Sequence, residues 1–205
     1  MHISEGVLTP AILAGGAILA AGGVGIGLRQ MKQDQIPTVG MLSAAFFVAS
    51  LIHVPIGPAS AHLVLNGLLG LLLGWMAFPA ILVGTALQAI LFQFGGLTTL
   101  GVNTLTMALP AVLCHYLFGR GVRAGRDRRV FMSCAFLTGF LAVLITGLLV
   151  GLCLYLVGEA FLPAAQALIA AHIPVMFIEG GLTAACALFL SRVRPELLEG
   201  IHGSS

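Results

Sequence analysis

Charge is almost absent from this chain, and that absence limits what it can fold into more than any motif does. Only 8% of its 205 residues are charged and 59% are hydrophobic, against about 25% charged in a soluble domain. Long apolar runs follow one another with few breaks. A backbone surrounded by lipid has no water to bond with, so it must satisfy its own N–H and C=O groups as helices or as a closed barrel. The runs do not alternate like barrel strands. The sequence therefore predicts an all-α polytopic membrane protein, and its 27 glycines suit helices whose backbones approach closely.

Seven apolar segments predict about seven transmembrane helices. They run from Pro10 to Leu28, Val39 to Ile52, His62 to Met76, Pro79 to Gln93, Thr104 to Phe118, Val130 to Val157 and Ile173 to Leu190. Several are shorter than the ~20 residues of a perpendicular span, which suggests loops that dip into the membrane or a locally thin bundle. The chain reads as one transmembrane domain, 1–205, with an N-terminal segment 1–9, a helical bundle 10–190 and a tail 191–205. Cys114, Cys134, Cys153 and Cys186 lie singly in apolar runs, without the paired spacing of a zinc or redox motif.

All nine basic residues fall in three places: Arg29 and Lys32, the run Arg120 to Arg129, and Arg192 with Arg194. With seven helices these lie on one side, which the positive-inside rule makes cytoplasmic. The N-terminus then faces outward and the C-terminus is cytoplasmic, in the inner membrane of a prokaryote. Pro55 to Ala61, Gly95 to Asn103 and Gly158 to Ala171 become outer loops. The basic run is expected to contact anionic membrane lipid, and no nucleic acid partner is expected. The first apolar run has no basic residues ahead of it and carries Glu5 early, unlike a signal peptide. It is expected to stay attached, with Met1 retained because His2 is large.

That topology gathers His2, His53, His62 and His172 at the outer boundary, four of the six histidines. His115 and His202 fall elsewhere. Imidazole is the commonest metal ligand. The Met1 amine, the His2 amide nitrogen and the His2 imidazole can close two fused chelate rings on an ion acidic enough to displace the amide proton, and tetragonal nitrogen sites favour nickel(II) or copper(II). The loop His53-Val-Pro-Ile-Gly-Pro-Ala-Ser60-Ala-His62 is stiffened by two prolines. Its His62 is expected to open a helix and share a face with Asn66, four residues on. Gly95-Gly-Leu-Thr-Thr-Leu-Gly-Val-Asn103, with Thr98 and Asn103, reads either as irregular backbone beside a cavity or as a tight connection. His172 and Glu179 stack on one face of the last helix, and Glu179, an intramembrane carboxylate, is a functional candidate whose expected role is hydrogen bonding. Gln88 and Gln93 are expected to bond between helices.

The start Met1-His-Ile-Ser-Glu-Gly-Val-Leu-Thr-Pro10, the outer His62, the Gly95 to Asn103 stretch and Ile173-Pro-Val-Met-Phe-Ile-Glu-Gly180 together resemble the CbiM/NikM family. These are the specificity (S) subunits of energy-coupling-factor transporters for cobalt and nickel. The resemblance runs in order along nearly the whole chain. It implies that the N-terminal segment inserts into the bundle and that nickel(II) or cobalt(II), as cargo, is held by Met1, His2 and the loop histidine matched by His62. His53, Ser60, Asn66, Thr98, Asn103, His172 and Glu179 are the surrounding or additional candidates. Many members carry a Gly-Ser-Cys-Ser-His loop and a histidine before the Gly-Gly; here Pro58-Ala-Ser-Ala-His62 and Phe94 stand there, so loop geometry and metal preference are the inferences most exposed.

The chain has one lysine, Lys32, and no phosphate-binding Gly-x-x-x-x-Gly-Lys-Ser/Thr. The resemblance implies that energy comes from partners: a transmembrane coupling (T) subunit, cytoplasmic ATPases and often a small accessory membrane subunit. Docking is expected through small-residue faces such as Ala11 to Gly27 or Ala184 to Ala187. An ion-coupled secondary transporter would need ionisable residues along a path. An intramembrane metalloenzyme would need an open metal site with a base; neither His-Glu-x-x-His nor Gly-x-Ser-x-Gly occurs.

Overall fold

The computed structural model describes residues 2–56, 59–122 and 127–199, with no side-chain description for 53–56, 59–61 and 199. Met1, Arg123, Arg126, His202 and the side chains of His53 and Ser60 therefore lie outside the described residues. The helices are α1 (Pro10–Gln30), α2 (Ile36–Ala49), α3 (Asn66–Leu73), α4 (Ala77–Phe92), α5 (Leu100–Phe118), α6 (Arg128–Val157), α7 (Leu162–Val193) and a short α8 (Glu196–Glu199). Among the described residues, five stretches are long and apolar enough to cross a membrane: Pro10–Gln30, Asn66–Phe92, Leu100–Val122, Arg128–Val157 and Glu159–Val193.

The departures from the expected segments have local causes. His62 does not open a helix. Instead His53–Ile56 (β1) and Ala59–His62 (β2) pair as an antiparallel hairpin with His53 opposite His62. Leu65 then takes a left-handed conformation, φ 54°, so helical geometry cannot pass through it and α3 starts at Asn66. His62 and Asn66 consequently share no helical face. α3 ends at Gly74, also left-handed at φ 54°, where a single 3₁₀ turn joins it to α4 as one buried stretch.

The largest difference is α7. The expected outer loop Gly158 to Ala171 is helical from Leu162 onward. Pro163 sits in the first turn, where its missing N–H costs nothing, and the Ala- and Leu-rich residues after it are strong helix formers. Pro174 is accommodated inside α7, and His172 lies well within the helix. Likewise Leu100 to Asn103 belong to α5, leaving a short 93–99 connection.

α6 and α7 pack antiparallel as the broadest helix pair. Their approach is close because Gly139 lacks a side chain: a Cβ there would meet the Glu179 carbonyl oxygen at 2.4 Å and Thr183 Oγ1 at 2.5 Å. α3 is enclosed by α5, α6 and α7, and every residue of α3 is buried. The hairpin, the N-terminal segment and the 93–99 connection meet at one end of the bundle. At the other end, Asp34 and Gln35 after α1 line a cavity with Leu72, Met76 and Glu196 of α8.

Candidate metal centre

The N-terminal segment is tied into the bundle rather than frayed. Ile3 is buried, and its N–H donates to Asn103 Oδ1 at 2.9 Å while Asn103 Nδ2 returns a bond to the Ile3 carbonyl at 3.1 Å. One side-chain amide thus pairs with a backbone unit as a strand neighbour would. Asn103 Nδ2 also donates to Thr99 Oγ1 at 3.1 Å, which fixes the amide's orientation. A second tie joins the exposed Glu5 carboxylate to Thr98, whose N–H and Oγ1 donate to Oε1 at 3.0 and 3.2 Å.

Two glycines make room for this segment. A Cβ at Gly96 would lie 1.9 Å from Glu5 Cγ, and one at Gly95 would lie 2.6 Å from Asn103 Nδ2. Gly95 is also left-handed at φ 80°, a conformation that costs other residues about 1–2 kcal/mol. Gly95→Ala is therefore expected to push Asn103 off Ile3 and speed amide exchange at Ile3 by at least about fivefold, one lost hydrogen bond being worth ~1 kcal/mol or more. Hydrogen exchange read by mass spectrometry on the N-terminal peptide checks this, and unchanged protection would refute it.

These ties place His2 against the hairpin. Its ring stacks on His62, centroids 5.2 Å apart and planes 14° from parallel, and on Phe94 at 6.2 Å and 17°. Although His2 as a residue is half-buried, both ring nitrogens are shielded from solvent and neither has a hydrogen-bond partner among the described residues. Burial lowers its pKa from 6.5 to about 4, so the ring is neutral at ordinary pH and keeps a lone pair. Burial also lowers the pKa of His62, against the opposing bond to Leu63. That bond, His62 Nδ1 to the Leu63 carbonyl at 2.9 Å, requires the proton on Nδ1 because a carbonyl can only accept. The lone pair is then on Nε2, the arrangement in which an imidazole binds metal while its other nitrogen is anchored.

Glu179 positions His62 from behind. Fully buried in α7, its carboxylate accepts the Val64 N–H and the Leu65 N–H, the latter at 2.9 Å to Oε1 and 3.1 Å to Oε2. These are backbone donors at the entry to α3, where a helix N-terminus favours an anion. The hydrogen-bonding role expected for Glu179 is the one it has, with backbone as partner. Asn66 donates to the Met107 carbonyl at 3.0 Å and to Thr146 Oγ1 at 2.9 Å, joining α3 to α5 and α6.

Among the described residues, no three His, Cys, Asp or Glu side chains converge as a metal cage. His2 and His62 meet, Thr98 and Asn103 hold the N-terminal segment, and His172 is buried within α7. Gln88 departs from expectation: it is fully buried, and its amide has no partner among the described residues. Gln93 is exposed and terminates α4 in a left-handed conformation, φ 57°. Glu5 and Phe94 were noted in the sequence for other reasons and not as site residues, and Gly95 and Gly96 only as part of the irregular Gly95 to Asn103 loop, whose Gly-Gly pair was the available signal.

The glutamate tie titrates. The Thr98 N–H and hydroxyl hold the Glu5 carboxyl below its ordinary value of 4.5. A depressed folded pKa means docking stability that is present above the unfolded value and lost as pH falls through the folded one. Acidification below 4.5 is thus expected to loosen the N-terminal segment, and Glu5→Gln to flatten that dependence; a pH series of Thr98 amide exchange checks both.

The family CbiM, described as cobalt uptake substrate-specific transmembrane region, matches residues 2–197. A Haemophilus influenzae protein assigned to metal transport is 40% identical over 199 residues, 97% of each chain. The fused nickel transport protein NikMN of Rhodobacter capsulatus is 35% identical over 143 residues, 65% of this chain and 41% of that one. A solved structure of a truncated transition metal transporter superposes with a TM-score of 0.77 at 22% identity, over 94% of this chain and 99% of that chain.

Proposed function

The chain belongs to the CbiM family of cobalt and nickel transport proteins, multi-pass proteins of the membrane, and on that premise we propose that it captures Ni(II) or Co(II) from the outer side as the specificity subunit of an ATP-driven importer. The observation that carries the reading is the His2 imidazole, neutral, shielded and without a hydrogen-bond partner among the described residues, stacked on His62 by a segment tied at Ile3 and Glu5. No side-chain cage competes with it among the described residues. The proposed donors are the His2 ring and amide nitrogens, His62 Nε2 and the Met1 amine, the last entering through sequence spacing alone. Four nitrogens in one plane suit nickel(II), while copper(II) would bind more tightly still, so selection against copper rests on geometry and availability.

The two ends of the bundle supply the direction. The proposed site lies at one end, whereas Arg29 and Lys32 at the end of α1 and Arg192 and Arg194 at the end of α7 lie toward the other, which supports an outward-facing site by the positive-inside rule. Without a phosphate-binding loop, transport needs a T subunit and cytoplasmic ATPases. A small accessory membrane subunit fits the R. capsulatus relative, most of whose length lies beyond the matched part. A secondary transporter would use Glu179 as a coupling carboxylate, but Glu179 is committed to the backbone of Val64 and Leu65.

Metal analysis and absorption spectroscopy of the purified, untagged protein test the site. A diamagnetic yellow-to-orange nickel complex at one ion per chain is expected. A tetrahedral or octahedral nickel spectrum would refute planar nitrogen ligation, and failure to co-purify with an ATPase when the partners are co-expressed would refute the importer role.

A further inference from the structure

We propose that the C-terminal end of α5 binds the headgroup of an anionic phospholipid through Tyr116 and Arg120, beside Trp75, with a strip of leucines along α5 receiving the acyl chain. The proposal stands on the membrane-spanning bundle and not on the metal site. α5 packs against α1, α3, α4 and α6, and most of its side chains are buried. Its accessible leucines form one row: Leu105 and Leu109 are half-buried, Leu113 and Leu117 exposed. Spacing of four keeps them on one helical face. The row ends on Tyr116, which is 57% exposed, and on exposed Arg120 about one turn further, in the Gly119–Val122 turn that continues α5.

The polar end is held in place by its neighbours. Trp75 Nε1 donates to the Tyr116 hydroxyl at 3.0 Å. An indole N–H can only donate, so the phenol oxygen accepts and keeps its own proton to donate to a partner outside the pair. Trp75 stacks on Phe78 with centroids 5.7 Å apart, and Tyr116 meets His115 edge-on at 5.3 Å and 88°. Gly27 lets α1 close over Trp75, since a Cβ there would lie 2.5 Å from the Trp75 carbonyl oxygen. Rings fixed before the ligand arrives lose little rotamer freedom on binding.

The chemistry of this end selects the occupant. Indole and phenol rings favour the headgroup level of a bilayer, and a guanidinium grips phosphate through paired N–H groups. Arg120 opens a connection, 120–129, that holds five arginines against one acid, Asp127. That carboxylate is turned to its own helix, where Oδ1 accepts the Arg129 N–H at 3.2 Å. Arg120 has no carboxylate partner among the described residues. The local field therefore favours an anionic headgroup over a zwitterionic one. Free phosphate would leave the leucine row uncovered, whereas a lipid uses both ends of the site.

The test titrates the full chain in detergent with dioleoyl phosphatidylglycerol or dioleoyl phosphatidylcholine and counts bound lipid by native mass spectrometry. The native chain is expected to prefer phosphatidylglycerol by at least about fivefold, which is what ~1 kcal/mol for one basic residue at a membrane surface amounts to. Arg120→Gln, and Tyr116→Phe, which keeps the ring against His115, should each bring the preference toward unity while thermal unfolding without lipid moves little. Arg192→Gln, which alters a basic residue at the end of α7, should leave the preference intact. An equal loss in Arg192→Gln, or an unchanged preference in Tyr116→Phe, would mean diffuse attraction to a basic face and overturn the site. Displacement of the lipid by an equal concentration of inorganic phosphate would reveal a free-anion site and overturn the lipid assignment. Nickel(II) binding is expected to be the same in all these variants, so failure of the lipid site leaves the metal site standing, and the reverse holds too.

Discussion

Replacing His2 with alanine, or adding one residue ahead of Met1, is expected to weaken nickel(II) or cobalt(II) binding by more than about 100-fold, the upper end of what loss of an outer-shell partner costs. Both changes act on the chelate and neither on the bundle. His2→Ala removes a ring whose nitrogens bond to nothing among the described residues. An added residue converts the amine to an amide and leaves the ring in place, which separates the amine's contribution from the imidazole's. Ile3 remains paired with Asn103 in either variant, and thermal unfolding in detergent should move little. Isothermal titration on the untagged chain provides the measurement. An extended protein that binds nickel as tightly as the native one would remove the Met1 amine from the site.

Glu179→Ala is expected to do the opposite, harming the fold first and the metal through it. The substitution strands the N–H groups of Val64 and Leu65 in a region without water, and each unsatisfied buried donor costs about 1–3 kcal/mol. It also leaves a cavity where the carboxylate met the backbone of Val64 and Leu65. Because the two donors follow His62 directly, their release frees the histidine's backbone and metal affinity falls although every proposed ligand is still present. Glu179→Gln retains one acceptor and should be intermediate in both respects. The check is a lowered unfolding temperature together with weaker metal binding, restored in part by Gln. Native affinity in a stably folded Glu179→Ala protein would show that His62 is held some other way.

The sequence made the bundle legible where apolar runs were long and bounded by charge or glycine. α1, α5 and α6 begin and end within a few residues of expectation apart from the early start of α5 at Leu100. It started the last helix at Ile173 and gave Gly158 to Ala171 to an outer loop, whereas α7 begins at Leu162, with Pro163 in the first turn where a helix tolerates proline and Pro174 accommodated inside. The hairpin was hidden for a different reason: Leu65 takes a left-handed conformation that its chemistry does not announce, and only the Glu179 carboxylate holding its N–H explains it. At the site, His2 and His62 were legible as ligand types and the Gly-Gly pair as unusual backbone. Their meeting was implied by the family resemblance and not by their spacing, since it depends on Asn103 and Thr98 gripping a segment about a hundred residues away in sequence.

That grip has a consequence for how the protein comes into being. Ile3 waits for Asn103, 100 positions later, and Val64 waits for Glu179, 115 positions later. Contacts so distant along the chain close late, after local helices have formed. During synthesis the nascent N-terminus is therefore an open tether while the first helices enter the bilayer, and the proposed cargo site is expected to form only once the last long helix is in place. On that proposal a half-made chain lacks the site and loading follows the order of assembly; a chain cut after α6 should insert yet bind nickel no better than His2→Ala.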